Sequence, residues 1–237
     1  MDGGVRSRWR NLLDVSTSLA LLSASAFVVY SWNAPKEALE FSPTATRTPI
    51  PDGPIVAEGA AEVGLADAPW VLVAFSDFEC PFCGRFARDV FPHIKEAMID
   101  SGSLRFVFRH FPLDIHANAR RAAMVSECAA QRGAFWRFHD VMFQAPDSTP
   151  TPALIALAAR ASGLGSSEIE TCIEPGGRDK QADVDRAAGL TLGVRSTPTF
   201  MLGRTLGSGQ AKIVSVLSGT KPWPEFRQFL ELGMSSK

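Results

Sequence analysis

Two periods of apolar spacing divide the chain. Trp70-Val71-Leu72-Val73-Ala74-Phe75-Ser76 is a nearly unbroken apolar run of strand formers, the pattern of a buried strand. From Arg85 to Ser101 the apolar residues fall at Phe86, Ala87, Val90, Phe91, Ile94, Ala97 and Met98, with Arg88, Asp89, Lys95 and Glu96 mostly off that face. This spacing predicts a helix, kinked at Pro92 and ended by Gly102. Leu104 to Phe111 alternates β-branched and aromatic residues and predicts a second strand. Strand, helix, strand in this order makes a βαβ unit with parallel strands.

From Asp114 to about Gly193 the pattern is helical throughout. Segments are predicted over Asn118–Gln131 and Phe135–Phe143, then from a Thr151-Pro152 cap to Gly163. A short one opens at Ser167 and contains Cys172, and the last runs over Asp179–Leu192. Strand signals return at Ser196–Leu202. Gly203, Gly207 and Gly209 mark a turn region with room for a short strand. Ile213–Leu217 reads as the opening of a final helix, interrupted by Pro222 and Pro224 and resumed over Glu225–Leu232.

The N-terminal stretch is of another kind. Arg6, Arg8 and Arg10 make a basic head over residues 1–14, and Val15–Trp32 carries no charge. As a helix, 15–32 spans about 27 Å, close to a bilayer core of about 30 Å. Tyr30 and Trp32 end it as interface aromatics do. It is predicted as a transmembrane signal-anchor with the head cytoplasmic and the rest extracytoplasmic. Ala24-Ser25-Ala26 fits a cleavage site, the competing reading, but cleavage would leave the apolar start Phe27-Val28-Val29. Residues 33–63, with Pro35, Pro43, Pro49, Pro51 and Pro54, read as a linker whose last part pairs along the edge of a domain over 64–237.

Net charge is −1 with acids and bases interspersed, so no nucleic-acid footprint is present. Four cysteines are too few for a disulfide-dense scaffold. Two of them carry the candidate chemistry. Cys80 falls where the buried strand turns into a helix, and Pro81 suits the first helical position. Free N–H groups and the helix dipole there favour an anion, so Cys80 is expected to be largely thiolate. Cys83 lies one turn on, deeper, within reach of Cys80, and reads as the resolving thiol. The same spacing serves a structural disulfide or half of a zinc site; the strand–CxxC–helix context favours redox chemistry. Cys128 and Cys172, distant from that pair and from each other, have the alternative of being two free core cysteines on apolar helix faces, since Cys is often buried; four cysteines allow three pairings. Of the histidines, His110 and His116 read as turn or surface residues, and His93 and His139 as half-exposed on helices. Phe135–Phe143 reads as core. Glu79 reads as a solvated carboxylate, or one that influences Cys80. Arg85 and Arg88 could add positive potential to the helix start.

Three ordered motifs resemble the DsbA-like branch of the thioredoxin superfamily: Phe75-Ser76-Asp77-Phe78-Glu79-Cys80-Pro81-Phe82-Cys83, the run from Glu127 to Trp136, and Gly193 to Phe200. The resemblance covers roughly Gly64 to Leu232. It implies a thioredoxin fold with a helical domain inserted at about 114–193. It implies a cis Thr197-Pro198 bond facing the cysteines, with Pro81, Phe82, Thr197 and Pro198 in the substrate-binding surface. It also implies a structural disulfide between Cys128 and Cys172. One departure is the Pro-Phe dipeptide: strongly oxidising members carry histidine where this chain has Phe82. The implied activity is that of a membrane-anchored extracytoplasmic oxidoreductase that introduces disulfides into exported proteins with free thiols. A membrane quinone-linked oxidase of the DsbB or VKOR kind would reoxidise it. This chemistry requires no organic or metal cofactor. The alternatives are a reductase or isomerase of the same fold, and a non-catalytic binding module or holdase with a structural CxxC.

Overall fold

The computed structural model describes residues 48–59, 61–144, 151–174, 179–207 and 209–236. The basic head, the 15–32 segment and residues 33–47 of the predicted linker lie outside them. Among the described residues no helix is long and apolar enough to cross a membrane.

Among the described residues six strands form one sheet: β1 (Ile55–Val56), β2 (Ala61–Val63), β3 (Trp70–Ser76), β4 (Leu104–His110), β5 (Thr199–Leu206) and β6 (Gln210–Ser218), in the order β1-β6-β5-β3-β4-β2. β3 and β4 run parallel, from Trp70↔Leu104 to Ser76↔His110; the other pairs are antiparallel. The sheet therefore begins within the stretch read as linker, with Ile55–Val56 and Ala61–Val63 as its two edges.

β3 is apolar throughout because both of its faces are covered. Leu72 and Ala74 join one core cluster with Phe86, Phe106, Phe138, Phe200 and Phe226. Val71, Val73 and Phe75 join a second with Val107, Phe111, Val194 and Met201. Period-two alternation thus sorts residues between two cores, as it must in a sheet with helices on both sides.

Helix α1 (Pro81–Asp89) follows β3. It breaks at Val90 and resumes as α2 (Phe91–Ile94), followed by a π turn over Lys95–Ile99. Pro92 is near the break because it has no N–H for the Arg88 carbonyl and its ring crowds that carbonyl. Gly102 closes the segment at φ +76, which glycine adopts without strain.

Among the described residues five helices intervene between β4 and β5: α3 (Ala119–Ala130), α4 (Phe135–Gln144), α5 (Pro152–Ala161), α6 (Ser166–Ile173) and α7 (Asp179–Thr191). A disulfide joins Cys128 on α3 to Cys172 on α6. Thr151 caps α5 by accepting a bond from the Leu154 N–H.

The C-terminal prediction fails at two places. Ile213–Leu217 belongs to strand β6, not to a helix. Ala211 and Ile213 are buried while Lys212 is exposed, a period of two, and β6 pairs with β5 from Gln210 to Ser218. Pro222 and Pro224 do not interrupt the last helix, α8 (Trp223–Ser235). They sit at its N-cap and second position, where a missing N–H costs nothing.

α7 lies tight on the second face of the sheet at Gly189. A Cβ there would stand 2.7 Å from Cδ2 of Phe111 and 3.0 Å from Cδ1 of Phe75. Gly189→Ala is therefore expected to destabilise the fold by about 1–3 kcal/mol in urea unfolding, outweighing a helix-propensity gain of at most about 1 kcal/mol. A stabilised variant would mean that α7 can lift off the sheet freely.

Candidate active site

β3 delivers the site because it is the central parallel strand and its C-terminal end opens into α1. Cys80 is the N-cap of α1, with extended backbone (φ −77, ψ 121). Its N–H donates to the Asp77 carbonyl, and its own carbonyl accepts from Gly84. Both cysteines are free thiols in this structure. Cys80 is 5% exposed and Cys83 1%, so the first lies nearer the surface. Sγ of Cys83 accepts the Asp77 backbone N–H at 3.5 Å. Pro81 is exposed, and Phe82 is exposed with the Arg85 guanidinium 5.3 Å from its ring centroid.

The segment before β5 closes the site from the opposite side. Thr197-Pro198 is cis, and both residues are buried. Sγ of Cys80 donates to the Thr197 carbonyl at 3.2 Å. That contact serves the thiol. The Thr197 hydroxyl oxygen is buried with no hydrogen-bond partner among the described residues, and Thr197 helps to lower the pKa of the neighbouring Cys80.

These neighbours pull the two thiols apart in acidity. The Cys80 pKa is lowered to about 6, first by the hydrogen bond from Cys83, then by Thr197 and by the backbone N–H groups of Cys83 and Phe82, against the effect of burial. The N–H groups are those left unpaired at the helix start. Burial and the adjacent Cys80 push the Cys83 thiol well up. One thiol is thus suited to attack or leave as thiolate and the other to hold a proton.

Two carboxylates seat the shoulder of the site. Asp77, buried, accepts from the Glu79 N–H at 2.8 Å, the Leu113 N–H at 2.9 Å and Nδ1 of His116 at 2.7 Å. Its pKa is raised by burial against these bonds. Glu79 accepts from the Asn118 N–H at 2.7 Å. Together they hold the 113–118 loop, which carries the exposed Ile115, against the CxxC stretch. Glu79 is thus a loop anchor and not a solvated carboxylate.

Two histidines also differ from their surface reading. His110 is buried, with Nε2 2.8 Å from the Glu127 carboxylate. His139 is buried against a ring of aromatics, among them Trp136 and Phe143. Neither was recognisable from local pattern, because the groups around them include residues distant in sequence: Ser126 and Glu127 for His110, and Phe78 and Phe108 for His139. Arg88 is not aimed at the helix start: it donates to the Phe143 carbonyl at 2.7 Å. Among the described residues no cluster of three or more His, Cys, Asp or Glu could hold a metal ion. The groove at the Cys128–Cys172 bond, about 400 Å³, is lined by neither Cys80 nor Cys83.

A CxxC at the strand-to-helix junction, faced by a cis proline in a βαβ-plus-ββα sheet, defines the fold of a thioredoxin-type thiol–disulfide oxidoreductase. The chain belongs to the thioredoxin family, whose model matches residues 57–213, and its structural neighbours include DsbA- and BdbD-type proteins. The α-DsbA1 structure of Wolbachia pipientis superposes with a TM-score of 0.62 at 25% identity, over 73% of this chain and 92% of that one. Oxidised BdbD of Bacillus subtilis gives 0.61 at 24% identity, over 76% and 98%. Disulfide bond formation protein D of Bacillus subtilis is 29% identical over 151 residues, 60% of this chain and 67% of that protein. A Na(+)/H(+) antiporter NhaA 3 of Salinispora tropica is 38% identical over 141 residues, 59% of this chain. The match spans only 21% of that antiporter's length.

Proposed function

We propose that the protein is a membrane-anchored, extracytoplasmic thiol–disulfide oxidoreductase that introduces disulfides into exported proteins through Cys80 and Cys83. The observation that carries this reading is the split between the two thiols: a shallow Cys80 with its pKa lowered to about 6, and a buried Cys83 whose pKa is raised. A substrate thiolate attacks Cys80 of the oxidised pair, and Cys83 leaves with the electron pair. A second substrate thiolate then attacks the mixed disulfide at the substrate sulfur, and Cys80 departs as thiolate. A low-pKa Cys80 is a good leaving group, and stabilising the reduced form makes the disulfide more oxidising.

Pro81, Phe82, Thr197 and Pro198 form the surface a substrate strand meets. Exposed Phe82 (49%) and Ile115 (83%) add apolar area suited to a protein substrate. Cys128–Cys172 is the structural bond of the helical insertion. The anchor rests on the 15–32 pattern, and the reoxidising partner, a DsbB- or VKOR-like membrane enzyme, on family analogy.

The phenylalanine at position 82 favours the second reading, a reductase or isomerase, because its side chain offers Cys80 no polar partner. A redox titration of residues 34–237 in glutathione buffers, with each cysteine mapped by alkylation and mass, separates the two. Cys80–Cys83 is expected to titrate at an oxidising potential while Cys128–Cys172 stays bonded. Reduction of Cys80–Cys83 only under strongly reducing conditions overturns the oxidase direction.

A further inference from the structure

The redox reading of Cys80 and Cys83 leaves a proton unaccounted for. Cys83 leaves as a thiolate when a substrate opens the disulfide, and must lose a proton again before it can displace a partner from Cys80. It is 1% exposed and packed in the main core, so it cannot exchange that proton with bulk water directly.

A cavity of about 10 Å³ lies against Cys83, about the room one water needs. Its polar wall groups are Ser76, Cys83 and His139, and the rest of its lining is apolar. His139 also lines a surface groove of about 380 Å³ between α1, α2 and α4, together with Asp140, Arg88 and Lys95. One imidazole therefore borders both the space against the resolving sulfur and a route to solvent. Its Nδ1 is 2.9 Å from the exposed Asp140 carboxylate. With the Nδ1 proton donated there, Nε2 is the acceptor; no described residue hydrogen-bonds it.

We propose that His139 is the proton relay of Cys83, acting through one water in this cavity and exchanging with solvent at Asp140. When Cys83 resolves a mixed disulfide, its S–H proton passes to the water, and the water gives one of its own protons to Nε2. The Cys83 electron pair forms the bond to Cys80 Sγ, and the bond from Cys80 to the partner sulfur breaks. The partner leaves as a thiolate, carrying both electrons of that bond. In the oxidising direction the substrate thiolate supplies the electron pair, Cys83 leaves as thiolate, and the imidazolium returns the proton by the same path. Imidazole suits this task because it gains and loses a proton near neutral pH. The charged and titratable groups facing it are Asp140 on its own helix, Arg88 on α1, Lys95 across the groove, and Cys83 through the cavity.

The test reacts the reduced protein with glutathione disulfide, quenches with acid, and quantifies the glutathione adduct on Cys80 by mass. Formation of the adduct reports Cys80; its decay reports Cys83. His139→Phe keeps an aromatic ring in the cluster and removes the base; His139→Gln is the smaller second variant. Both are expected to form the adduct at the unmodified rate and to resolve it about 100-fold more slowly, within the usual range for a lost general base. The residual decay should rise about tenfold per pH unit as hydroxide takes over. In the unmodified protein, adduct decay should follow the His139 titration seen by NMR, a readout that needs no variant to fold. Equal slowing of both steps, or unchanged decay, overturns the proposal, as does a decay profile that departs from the imidazole titration. An unmodified protein that takes no glutathione on Cys80 overturns the redox reading itself, and the relay with it.

Discussion

On the proposed function, Cys80→Ser is expected to abolish dithiol oxidation, and Cys83→Ser to leave a chain that captures substrates as stable mixed disulfides. The first loss is complete because a serine oxygen cannot form or leave a disulfide. The second follows from position. Cys83 is held by the Asp77 N–H at 3.5 Å and lies one turn from Cys80. An intramolecular thiol so placed outcompetes any free thiol at millimolar concentration, so its removal should lengthen the life of the adduct by at least about a hundredfold. Cys83→Ala goes further. The Cys83 hydrogen bond is the largest cause of the lowered Cys80 pKa, so the pKa should climb from about 6 toward the ordinary thiol range, about 8.5–9. Cys80 alkylation rates against pH read this directly. The sign for stability follows: a thiol whose folded pKa is depressed stabilises the reduced fold fully above its unfolded pKa, and this contribution is lost as pH falls through about 6. The reduced protein should therefore lose its advantage over Cys83→Ala as pH drops from about 9 to about 6. A Cys80 pKa still near 6 in Cys83→Ala would assign the effect to the helix N-terminus and Thr197 instead.

The chemistry of Cys80 was legible in sequence because the motif is local: a buried strand, then Pro81 at the first helical turn, fixes the unpaired N–H groups around the sulfur. The size of the Cys83 contribution was not legible, since it depends on how two thiols and Thr197, 117 residues on, converge. The βαβ unit and the helical insertion were legible for the same local reason, periodicity. β6 was misread as helix because only Ala211 and Ile213 are fully buried, whereas Val214 to Leu217 are half-exposed and show no clean alternation. The β-branched run Ile213-Val214 and the glycines before it were the available signal. Asp77, Glu79, His110 and His139 had none. Each is a polar residue in an unremarkable local pattern, and groups from other parts of the chain bind or bury it: Leu113 and His116 for Asp77, Asn118 for Glu79, Glu127 for His110, and Phe78 and Phe108 for His139.

Asp185→Ala should be the most destabilising of the single substitutions considered, by about 3–5 kcal/mol. Asp185 is a wholly buried residue of α7, where its carboxylate accepts the His110 backbone N–H at 2.9 Å and the Gln181 side-chain amide at 2.9 Å. Nε of Arg109 lies 3.2 Å away as an ion pair without hydrogen-bond geometry, and the guanidinium packs toward the Phe75 ring. Burial raises the Asp185 pKa, and the charges of His110 and Arg109 oppose that rise. The pair is therefore not a source of net stability so much as a solved problem: Arg109 sits on a buried strand and must have a counter-charge. Removing Asp185 leaves a buried cation and two donors unmatched, which is why the single loss costs more than the pair contributes. Replacing both residues, Arg109→Met with Asp185→Leu, should recover much of the stability, and the non-additivity of that double-mutant cycle measures the coupling. Urea unfolding with an unchanged slope is the readout. A loss below about 1 kcal/mol for Asp185→Ala would show that Arg109 reaches water when its partner is gone, and that α7 is seated by Gly189 and its apolar neighbours alone.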